Sequence, residues 1–599
     1  MSLRTLSSRP RACDRCWLLK TQCDSQSPCA RCQRLELPCV TERPLQAKGR
    51  PKKSASIRRA FRQSPAEPTG PGSGGQEAIA SPSTAGVSPA AATGPSQDLS
   101  ELSLDTDLVD GLLHQIASSS RKLGIFGALP ASIHPEGENH ANGSLRQVWN
   151  PDQWHVLLAL SLEIYHPRVP DTVPGPRKLS QDLLRRSVLA LTQDLSWKAP
   201  EPGIENVLLL LLSSYTWCLS VEFVEIAARW QSLSCVIYQD IAKLPVPNDD
   251  CGELKNRTEM ALYIQDATMS LLHYPRKPSC DLQKQVKSQI ADGVWHARRR
   301  PLPAQTEHQP VEDSSYFALM HPLANCMRAI IEAPSVGSRA WLMAKNELSD
   351  YFFCFPSTLL RFDDLSYVYE AEAMIWMHGL FIMLHGTRDL VNLTMNPMYL
   401  EADRFIHLLE HSILLGDVLP TVLSLDPSLD CLSPATVFFI LHSATVHAMA
   451  LRQFIPNNCS RASLGTGVPV KLARSSDHHC NLLSAVQLHC KRYDVPIIGE
   501  VHSLLSYYRS QAAFRTSAVS AIRPRTLMHY RWCQGGAGIV PLRIEDAEAI
   551  WNYTFSPDED LWQTESANRS VLQALIADLC APEARICRNG YFDLSILIE

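Results

Sequence analysis

The chain has 599 residues, a formal net charge of −5 at pH 7, and 45% apolar against 20% charged side chains. This composition is typical of a soluble globular protein, and the N-terminus lacks the apolar segment of a secretory signal peptide. The most apolar run, residues 207–221, contains Ser213, Ser214 and Tyr215. We therefore expect a buried core helix there and no membrane span, which needs about 20 apolar residues.

Positive charge is concentrated at the N-terminus. Residues 1–63 hold 15 Lys and Arg against 4 Asp and Glu, a net charge of +11, which leaves −16 for the rest of the chain. A basic segment attached to an acidic body is the polarity expected of a nucleic-acid-binding protein.

Six of the 19 cysteines lie within 27 residues, with the spacing C-x2-C-x6-C-x5-C-x2-C-x6-C. They are Cys13, Cys16, Cys23, Cys29, Cys32 and Cys39. In a reducing compartment such cysteines are metal ligands or redox groups, and thiolates favour tetrahedral zinc. One ion would leave two sulfurs unused, whereas six sulfurs hold two ions if two of them bridge, and the internal repeat favours this arrangement. The segment has few large apolar side chains, so metal binding must supply its folding free energy.

Together with Lys20, Asp24 and Pro28, this spacing resembles the DNA-binding module of the fungal binuclear zinc cluster regulators. The resemblance implies two zinc ions per chain, with Cys13 and Cys29 as the bridging ligands. The remaining ligands that it implies are Cys16 and Cys23 for one ion, and Cys32 and Cys39 for the other. We assign this small module to residues 1–43.

The same resemblance implies that Lys20 contacts base edges in the major groove, at a CGG-like half-site of double-stranded DNA. Lysine donors suit the O6 and N7 acceptors of guanine. Lys20 is the only charged residue between Cys16 and Cys23, whereas family members usually carry several basic residues there. Three arginines are expected to contact phosphate, which positions the module without specifying sequence: Arg15, Arg31 and Arg34.

Residues 44–63 form a basic tail. Lys48-Gly49-Arg50-Pro51 looks like the core of an AT-hook, in which Arg50 would enter an A·T-rich minor groove. The candidate DNA contacts of the tail are Lys48, Arg50, Lys52 and Lys53. A nuclear-import signal is the competing interpretation, and the two can coexist.

Residues 64–143 are rich in Pro, Gly, Ser and Ala and predict a disordered linker. Leu104, Leu108 and Leu112 give at most a short amphipathic segment, whereas a coiled coil needs three or four heptads. The chain could therefore act as a monomer, and dimerisation through the large domain stays open.

Residues 144–540 predict a large all-α multi-helix domain. The apolar periodicity indicates a helix that Ser180 caps and that runs through Leu195, a helical pair at 204–220 and 223–243, and further helices. The further predicted spans are 365–386, 403–417 and 434–455. Residues 180–245 and 365–455 also resemble, weakly, the helical middle homology region of fungal regulators, which implies a regulatory domain.

No enzyme motif is recognisable in this domain. Residues 477–480 read Asp-His-His-Cys, but the protein-palmitoylating chemistry of that sequence needs membrane spans. His442 and His447 lie five residues apart in an apolar stretch, which favours buried, hydrogen-bonded histidines over metal ligands. The scattered cysteines are expected to behave as small core residues: Cys218, Cys235, Cys326 and Cys354. A small-molecule effector site in the domain stays open, with no residue assignable to it.

Residues 541–599 are expected to form an acidic, aromatic C-terminal region. Seven acidic residues between 544 and 565 surround Trp551, Tyr553, Phe555 and Trp562. Exposed aromatic side chains among acids can dock into coactivator grooves, so this region is a candidate activation segment. A surface helix and loop would fit the same pattern.

The sequence thus predicts a nuclear, non-enzymatic, sequence-specific regulator of RNA polymerase II genes, acting as an activator. Its expected partners are double-stranded DNA and the transcription machinery or coactivators. The family's frequent roles suggest control of a secondary-metabolite gene cluster, with nutrient catabolism as the alternative. From a different class, the competing hypothesis is a zinc-containing interaction scaffold that does not bind DNA.

Overall fold

The computed structural model describes five residues of the cysteine-rich segment, namely 24, 26, 29, 30 and 33, and fourteen longer segments. These segments are 106–119, 124–129, 151–165, 178–184, 203–243, 250–273, 316–333, 337–355, 357–362, 365–395, 402–455, 468–490, 492–514 and 566–580. The chain divides into two compact units, Met1–Ala92 and Thr93–Glu599.

The second unit is helical throughout its described part, which contains no β-strand. Fourteen α-helices have defined bounds: α1 Thr106–Ser119, α2 Pro151–Tyr165, α3 Ile204–Trp217, α4 Val224–Ile241, α5 Asp250–Leu272, α6 Tyr316–Glu332, α7 Arg339–Phe353, α8 Val368–His385, α9 Leu390–Met395, α10 Ala402–Leu425, α11 Pro434–Arg452, α12 Val470–His489, α13 Ile497–Phe514 and α14 Ser566–Leu579. Two 3-10 helices span Gly124–Ala128 and Ser357–Leu360. The predicted all-α class is confirmed.

Helix α11 is the central element of the unit. Ser433 caps it by accepting a hydrogen bond from the backbone N–H of Thr436 at 3.3 Å, and Pro434 occupies the first turn, where no amide donor is needed. The helix packs against α8, α10, α12 and α13. Residues 434–451 are all buried, so α11 is apolar all round because neighbouring helices surround it.

Two described helices, within Arg404–Leu425 and Pro434–Arg452, are long and apolar enough to cross a membrane by length and composition alone. Their most apolar windows are 67% and 100% buried inside the unit, respectively. Both therefore fit core helices of a folded domain. The run at 207–221, which we expected to be a core helix, contributes to α3, and Val207–Trp217 are all buried.

The helical unit begins earlier than residue 144, because part of the range predicted as a linker is folded. Helix α1 buries Val109 and Ile116 completely, and it packs against α2. The following 3-10 helix is fixed by Arg257 of α5, which donates a 2.9 Å hydrogen bond to the carbonyl oxygen of Gly127. The spacing of Leu104, Leu108 and Leu112 indicates this amphipathic segment, but the Pro-, Gly- and Ser-rich composition of 64–100 favours a linker over the whole range.

The unit also extends into the range predicted as an acidic C-terminal region. Helix α14 packs against α10 and buries Ile576 completely, and the Gln573 side chain donates a hydrogen bond to the carbonyl oxygen of Gln453. The acidic and aromatic stretch at 544–565 lies outside the described residues.

The predicted helical spans agree with α3, α4, α8, α10 and α11 to within a few residues, except that α10 continues to Leu425. The predicted role of Ser180 as a helix cap is wrong. Ser180 lies within a described helical stretch at 178–184, and its hydroxyl donates a 2.9 Å hydrogen bond to the carbonyl oxygen of Ala159 in α2. It joins two helices, a role that periodicity alone does not reveal.

Candidate metal centre

Cys29 marks the start of a helical turn in the cysteine-rich segment. Its carbonyl oxygen accepts a 2.9 Å hydrogen bond from the backbone N–H of Gln33, and both Ala30 and Gln33 are helical. The Cys29 side chain is fully buried. A helix N-terminus presents partial positive charge, which favours the thiolate form that binds metal.

Asp24 stabilises this turn from outside it. One carboxylate oxygen accepts a 2.9 Å hydrogen bond from the backbone N–H of Ala30, and the other accepts one at 3.3 Å from Gln26. An acidic side chain at the first turn satisfies an amide that has no partner within the helix. Asp24 thus fixes the direction in which the chain enters the turn at Cys29.

These contacts fit a zinc ligand at Cys29. A buried cysteine at a capped helix start, in a segment with few large apolar side chains, suits metal coordination better than hydrophobic packing. The other predicted ligands lie outside the described residues, as do Lys20 and the predicted basic contacts with DNA. The undescribed ligands are Cys13, Cys16, Cys23, Cys32 and Cys39.

A metal-folded module with this cysteine spacing belongs to the class of small zinc-dependent DNA-binding domains. Residues 11–48 match the family model of the fungal Zn(2)-Cys(6) binuclear cluster domain. The chain therefore carries such a domain, which binds two zinc ions. No curated protein matched the chain at the threshold applied.

A domain of this kind indicates a DNA-binding transcription regulator of the zinc-cluster type. Members of this family are transcription factors and not enzymes. When bound, the two zinc ions cross-link the six-cysteine segment and hold it folded. The chain's own contribution in the described part is the Asp24 cap and the helical turn that begins at Cys29.

His442 and His447 are both hydrogen-bonded, as we expected. Burial lowers the pKa of both His442 and His447 to about 4, so each ring is neutral at pH 7. His442 Nε2 lies 2.8 Å from the carbonyl oxygen of Thr387, and His447 Nε2 lies 2.8 Å from Ser475 Oγ. Among the residues that the structure describes, no three His, Cys, Asp or Glu side chains form a group that could hold a metal ion.

The Asp-His-His-Cys sequence at 477–480 is divided between two environments of α12. Asp477 is exposed and pairs with Arg509 at 2.7 Å, whereas His479 is fully buried. Cys480 is buried as well, and burial raises the pKa of its thiol. The four residues therefore form no common reactive centre.

Two of the scattered cysteines behave as predicted. Cys218 and Cys326 are buried free thiols, and burial raises the pKa of each to about 12, so both are unreactive. The prediction is wrong for Cys354, which is exposed. Cys235 is buried but disulfide-bonded, a state that the sequence pattern did not indicate.

Proposed function

We propose that the chain is a nuclear activator that recognises a short CGG-like half-site through Lys20. The match of residues 11–48 to the zinc cluster domain carries this proposal, because the domain supplies both the fold and the DNA-binding class. Lysine at this position donates hydrogen bonds to guanine O6 and N7. The fixed entry of the chain at Cys29 supports a rigid module, which base recognition needs.

Affinity comes from the surrounding positive charge. Two zinc ions and six thiolates sum to −2, so residues 1–63, at +11, keep about +9 in the zinc-bound state. Arg15, Arg31 and Arg34 contact phosphate, and the tail at 44–63 extends the contact surface. Within that tail, Lys48, Arg50, Lys52 and Lys53 bind an A·T-rich minor groove or the phosphate backbone.

The helical unit regulates the module, and the acidic stretch at 544–565 recruits coactivators or other parts of the transcription machinery. Control of a secondary-metabolite gene cluster is the proposed biological role, because pathway-specific regulators are frequent in this family. Nutrient catabolism is the alternative pathway. Genome-wide mapping of bound sites distinguishes the two.

The proposal is tested by DNA binding of the full chain carrying Lys20→Ala. We expect discrimination between a CGG site and a scrambled site to fall about 5-fold or more, since a specific base contact is worth about 1–3 kcal/mol. Lys243→Ala is the matched control, because Lys243 is an exposed lysine of the helical unit, 73% exposed and paired with Asp240. Its discrimination should be unchanged.

A second pair of measurements separates base recognition from electrostatics. Arg34→Ala should weaken binding to both DNA sites equally and reduce the salt dependence, as expected of a phosphate contact. If Lys20→Ala retains full discrimination while zinc content is unchanged, Lys20 does not contact bases. If the unaltered chain binds neither site above background, the protein is a scaffold that does not bind DNA.

A further inference from the structure

Helices α8 and α10 meet along a series of four histidine rings, which we call the histidine column. His378 and His385 belong to α8, and His407 and His411 belong to α10. His378 Nδ1 lies 3.1 Å from His411 Nδ1, and the rings of His385 and His407 stack with 4.9 Å between their centroids. The rings of His385 and His411 are 6.2 Å apart, which makes the series continuous. The two facing pairs show that the helices run antiparallel.

The histidine column runs from the surface of the helical unit into its core. The side chain of His407 is 51% exposed, and His385 is half-buried. His411 and His378 are buried. Phe381 stacks on His411 with 4.5 Å between the centroids and 6° between the ring planes, which fixes the orientation of this imidazole. The column therefore connects a solvated imidazole to two imidazoles in the core.

The contact between His378 and His411 depends on where their protons are. Two Nδ1 atoms at 3.1 Å form a hydrogen bond when one of them carries a hydrogen and the other does not. If the accepting nitrogen is protonated as well, two N–H groups face each other and the hydrogen bond is lost. Acid therefore converts this contact from an attractive one to a repulsive one.

The buried histidines between α11 and α12 lack this restriction. His447 Nε2 lies 2.8 Å from the hydroxyl oxygen of Ser475, and His479 Nε2 lies 2.7 Å from that of Ser443. A hydroxyl group can rotate to accept a hydrogen bond as well as to donate one. Protonation of either imidazole therefore leaves a hydrogen bond in place between α11 and α12, whereas at the contact of α8 with α10 it removes one.

The charges beside the histidine column oppose a further positive charge. Lys345 of α7 and Arg404 of α10 both disfavour protonation of His385. The carboxylate of Glu410 lies 3.6 Å from His407, at the solvent-exposed end of the column. The described parts of α6 and α14, which also pack on this helix pair, add no charge that acts on His385.

The other acids and bases of the packed helices are engaged elsewhere. On α8, Glu370 and Glu372 accept hydrogen bonds from backbone N–H groups. Asp417 of α10 interacts with cations of α12. His442 of α11 and His478 of α12 lie within hydrogen-bonding distance of carbonyl oxygens. These groups are therefore not placed to stabilise an imidazolium inside the column.

Burial keeps the three inner rings of the column neutral. It lowers the pKa of His385 to about 4 and that of His378 to about 3, and it lowers the pKa of His411 well below 6.5. Once the helices separate, each ring regains a pKa of about 6.5. Because the separated state binds more protons, it gains free energy relative to the closed state as the pH falls below 6.5.

We propose that the histidine column is an acid-sensitive contact, which releases α8 from α10 before the helical unit unfolds as a whole. The contact between His378 and His411 is the part that acid breaks, and the exposed His407 marks its solvent side. This inference concerns the helical unit alone, so it holds or fails independently of the DNA contacts. It gives the helical unit a response to acid that is confined to one pair of helices.

The test is hydrogen exchange of the full zinc-bound chain at pH 7.5 and pH 5.5, followed by mass spectrometry and corrected for the intrinsic exchange rate at each pH. We expect the opening constant of α8 and α10 to rise about 10-fold for each inner histidine, or about 1,000-fold in all. Helices α3 and α4, which contain no histidine, provide the internal comparison. Their opening constant should rise less than 10-fold. An equal rise in both helix pairs, or no rise in α8 and α10, would overturn the proposal.

A conservative variant locates the acid-sensitive contact. Asparagine in His378→Asn can present either its oxygen or its NH₂ group to His411, so it accommodates both protonation states. We expect the rise in the opening constant of α8 and α10 to fall from about 1,000-fold to about 100-fold, because one of the three rings is gone. The same substitution on α11, His447→Asn, is the matched control and should leave the rise at about 1,000-fold.

Two outcomes of this comparison would contradict the proposal. If both variants reduce the acid response of α8 and α10 equally, the response belongs to the whole helical unit. If neither variant reduces it, the contact between His378 and His411 is not its source. The comparison of α8 and α10 with α3 and α4 in the unaltered chain does not require either variant to fold.

Discussion

Asp24 shows how one side chain sets the geometry of the metal-binding segment. Its two carboxylate oxygens accept the backbone N–H groups of Gln26 and Ala30, although Asp24 itself lies on the surface. Removing a capping acceptor costs about 0.5–2 kcal/mol. Because zinc binding and folding are coupled in such a module, that cost appears as weaker retention of zinc.

We therefore expect Asp24→Ala to increase the equilibrium release of zinc to a competing chelator about 2- to 30-fold, by conversion of the capping energy. The measurement is zinc transfer from the full chain to a chromophoric chelator. Asp24→Asn is the conservative control, since its amide oxygen still accepts one N–H. Its zinc release should lie between those of the unaltered chain and Asp24→Ala. Equal zinc retention in all three proteins would show that the cap does not contribute to the metal centre.

At the residue scale, the sequence predicts metal ligands better than it predicts the hydrogen bonds that hold the surrounding loops in place. Six cysteines at fixed spacing define a metal centre because coordination chemistry restricts the number and type of ligands. Asp24 caps the turn only because the chain returns to it at Ala30, six residues later. Arg492 donates a hydrogen bond to the carbonyl oxygen of Leu432, 60 residues away in sequence. Neither contact has a local sequence signal.

A buried network of polar side chains joins helices α11 and α12. His447 Nδ1 lies 3.0 Å from the carbonyl oxygen of Ser443, and His479 Nδ1 lies 2.8 Å from that of Ser475. Each Nδ1 must therefore carry the proton. Each Nε2 then accepts from a hydroxyl on the opposite helix, at 2.8 Å from Ser475 and 2.7 Å from Ser443. The two Ser-x3-His repeats fix the register of the helices.

Gly416 of α10 lets a third helix approach this network. A Cβ atom at this position would lie 2.0 Å from Ser475 Oγ and 2.9 Å from His479 Cε1. We expect Gly416→Ala to destabilise the helical unit by about 1–3 kcal/mol, the usual cost of overpacking a core. The measurement is urea unfolding of the full chain, followed by the helical circular dichroism signal.

Gly111→Ala is the matched control for this substitution. Gly111 lies on the exposed side of α1, and a Cβ atom there would meet no other atom within 4 Å. This change should stabilise the protein by about 0.5–1 kcal/mol, because alanine is the better helix former. A Gly416→Ala protein as stable as the Gly111→Ala protein would contradict the close approach of α10 and α12.

At the element scale, hydrophobic periodicity predicts where long helices lie but not what joins them. Helices α3, α4, α8 and α11 were recognisable because each carries a long apolar run. Helix α1 shows only as a short amphipathic segment, because its 14 residues follow a Pro- and Gly-rich stretch that favours a linker. The register of α11 and α12 rests on hydroxyl and imidazole contacts that appear only after the helices pack.

The whole molecule combines a basic zinc module with a helical unit that buries many histidines. His378, His442 and His447 are fully buried, and burial lowers their pKa values to about 3, 4 and 4. Burial likewise lowers the pKa values of His411 and His479 well below 6.5. The unfolded chain binds a proton at each of these five histidines as the pH falls through 6.5, whereas the folded chain does not. Their contribution to stability is thus complete above pH 6.5 and is lost toward pH 4.

At pH 5 the free energy of unfolding is lower by about 2 kcal/mol for each of these histidines. Glu372 acts in the opposite direction, because its raised pKa of about 7 lets the folded chain bind a proton first. Protonation of this carboxyl adds about 2–3 kcal/mol to the free energy of unfolding at pH 5, which is less than the five histidines remove. The net loss is comparable to the whole stability of an ordinary domain, about 5–15 kcal/mol.

We therefore expect the helical unit to lose most of its unfolding free energy between pH 6.5 and pH 5. The unfolding transition should take up about three to four protons near pH 5.5, obtained from the slope of the free energy against pH. Urea unfolding of the full chain, followed by helical circular dichroism from pH 8 to pH 5, gives this slope. A parallel series with chelator present removes the zinc module's own acid sensitivity from the comparison. A free energy that stays constant over this range in both series would show that the buried histidines are not the groups that limit stability in acid.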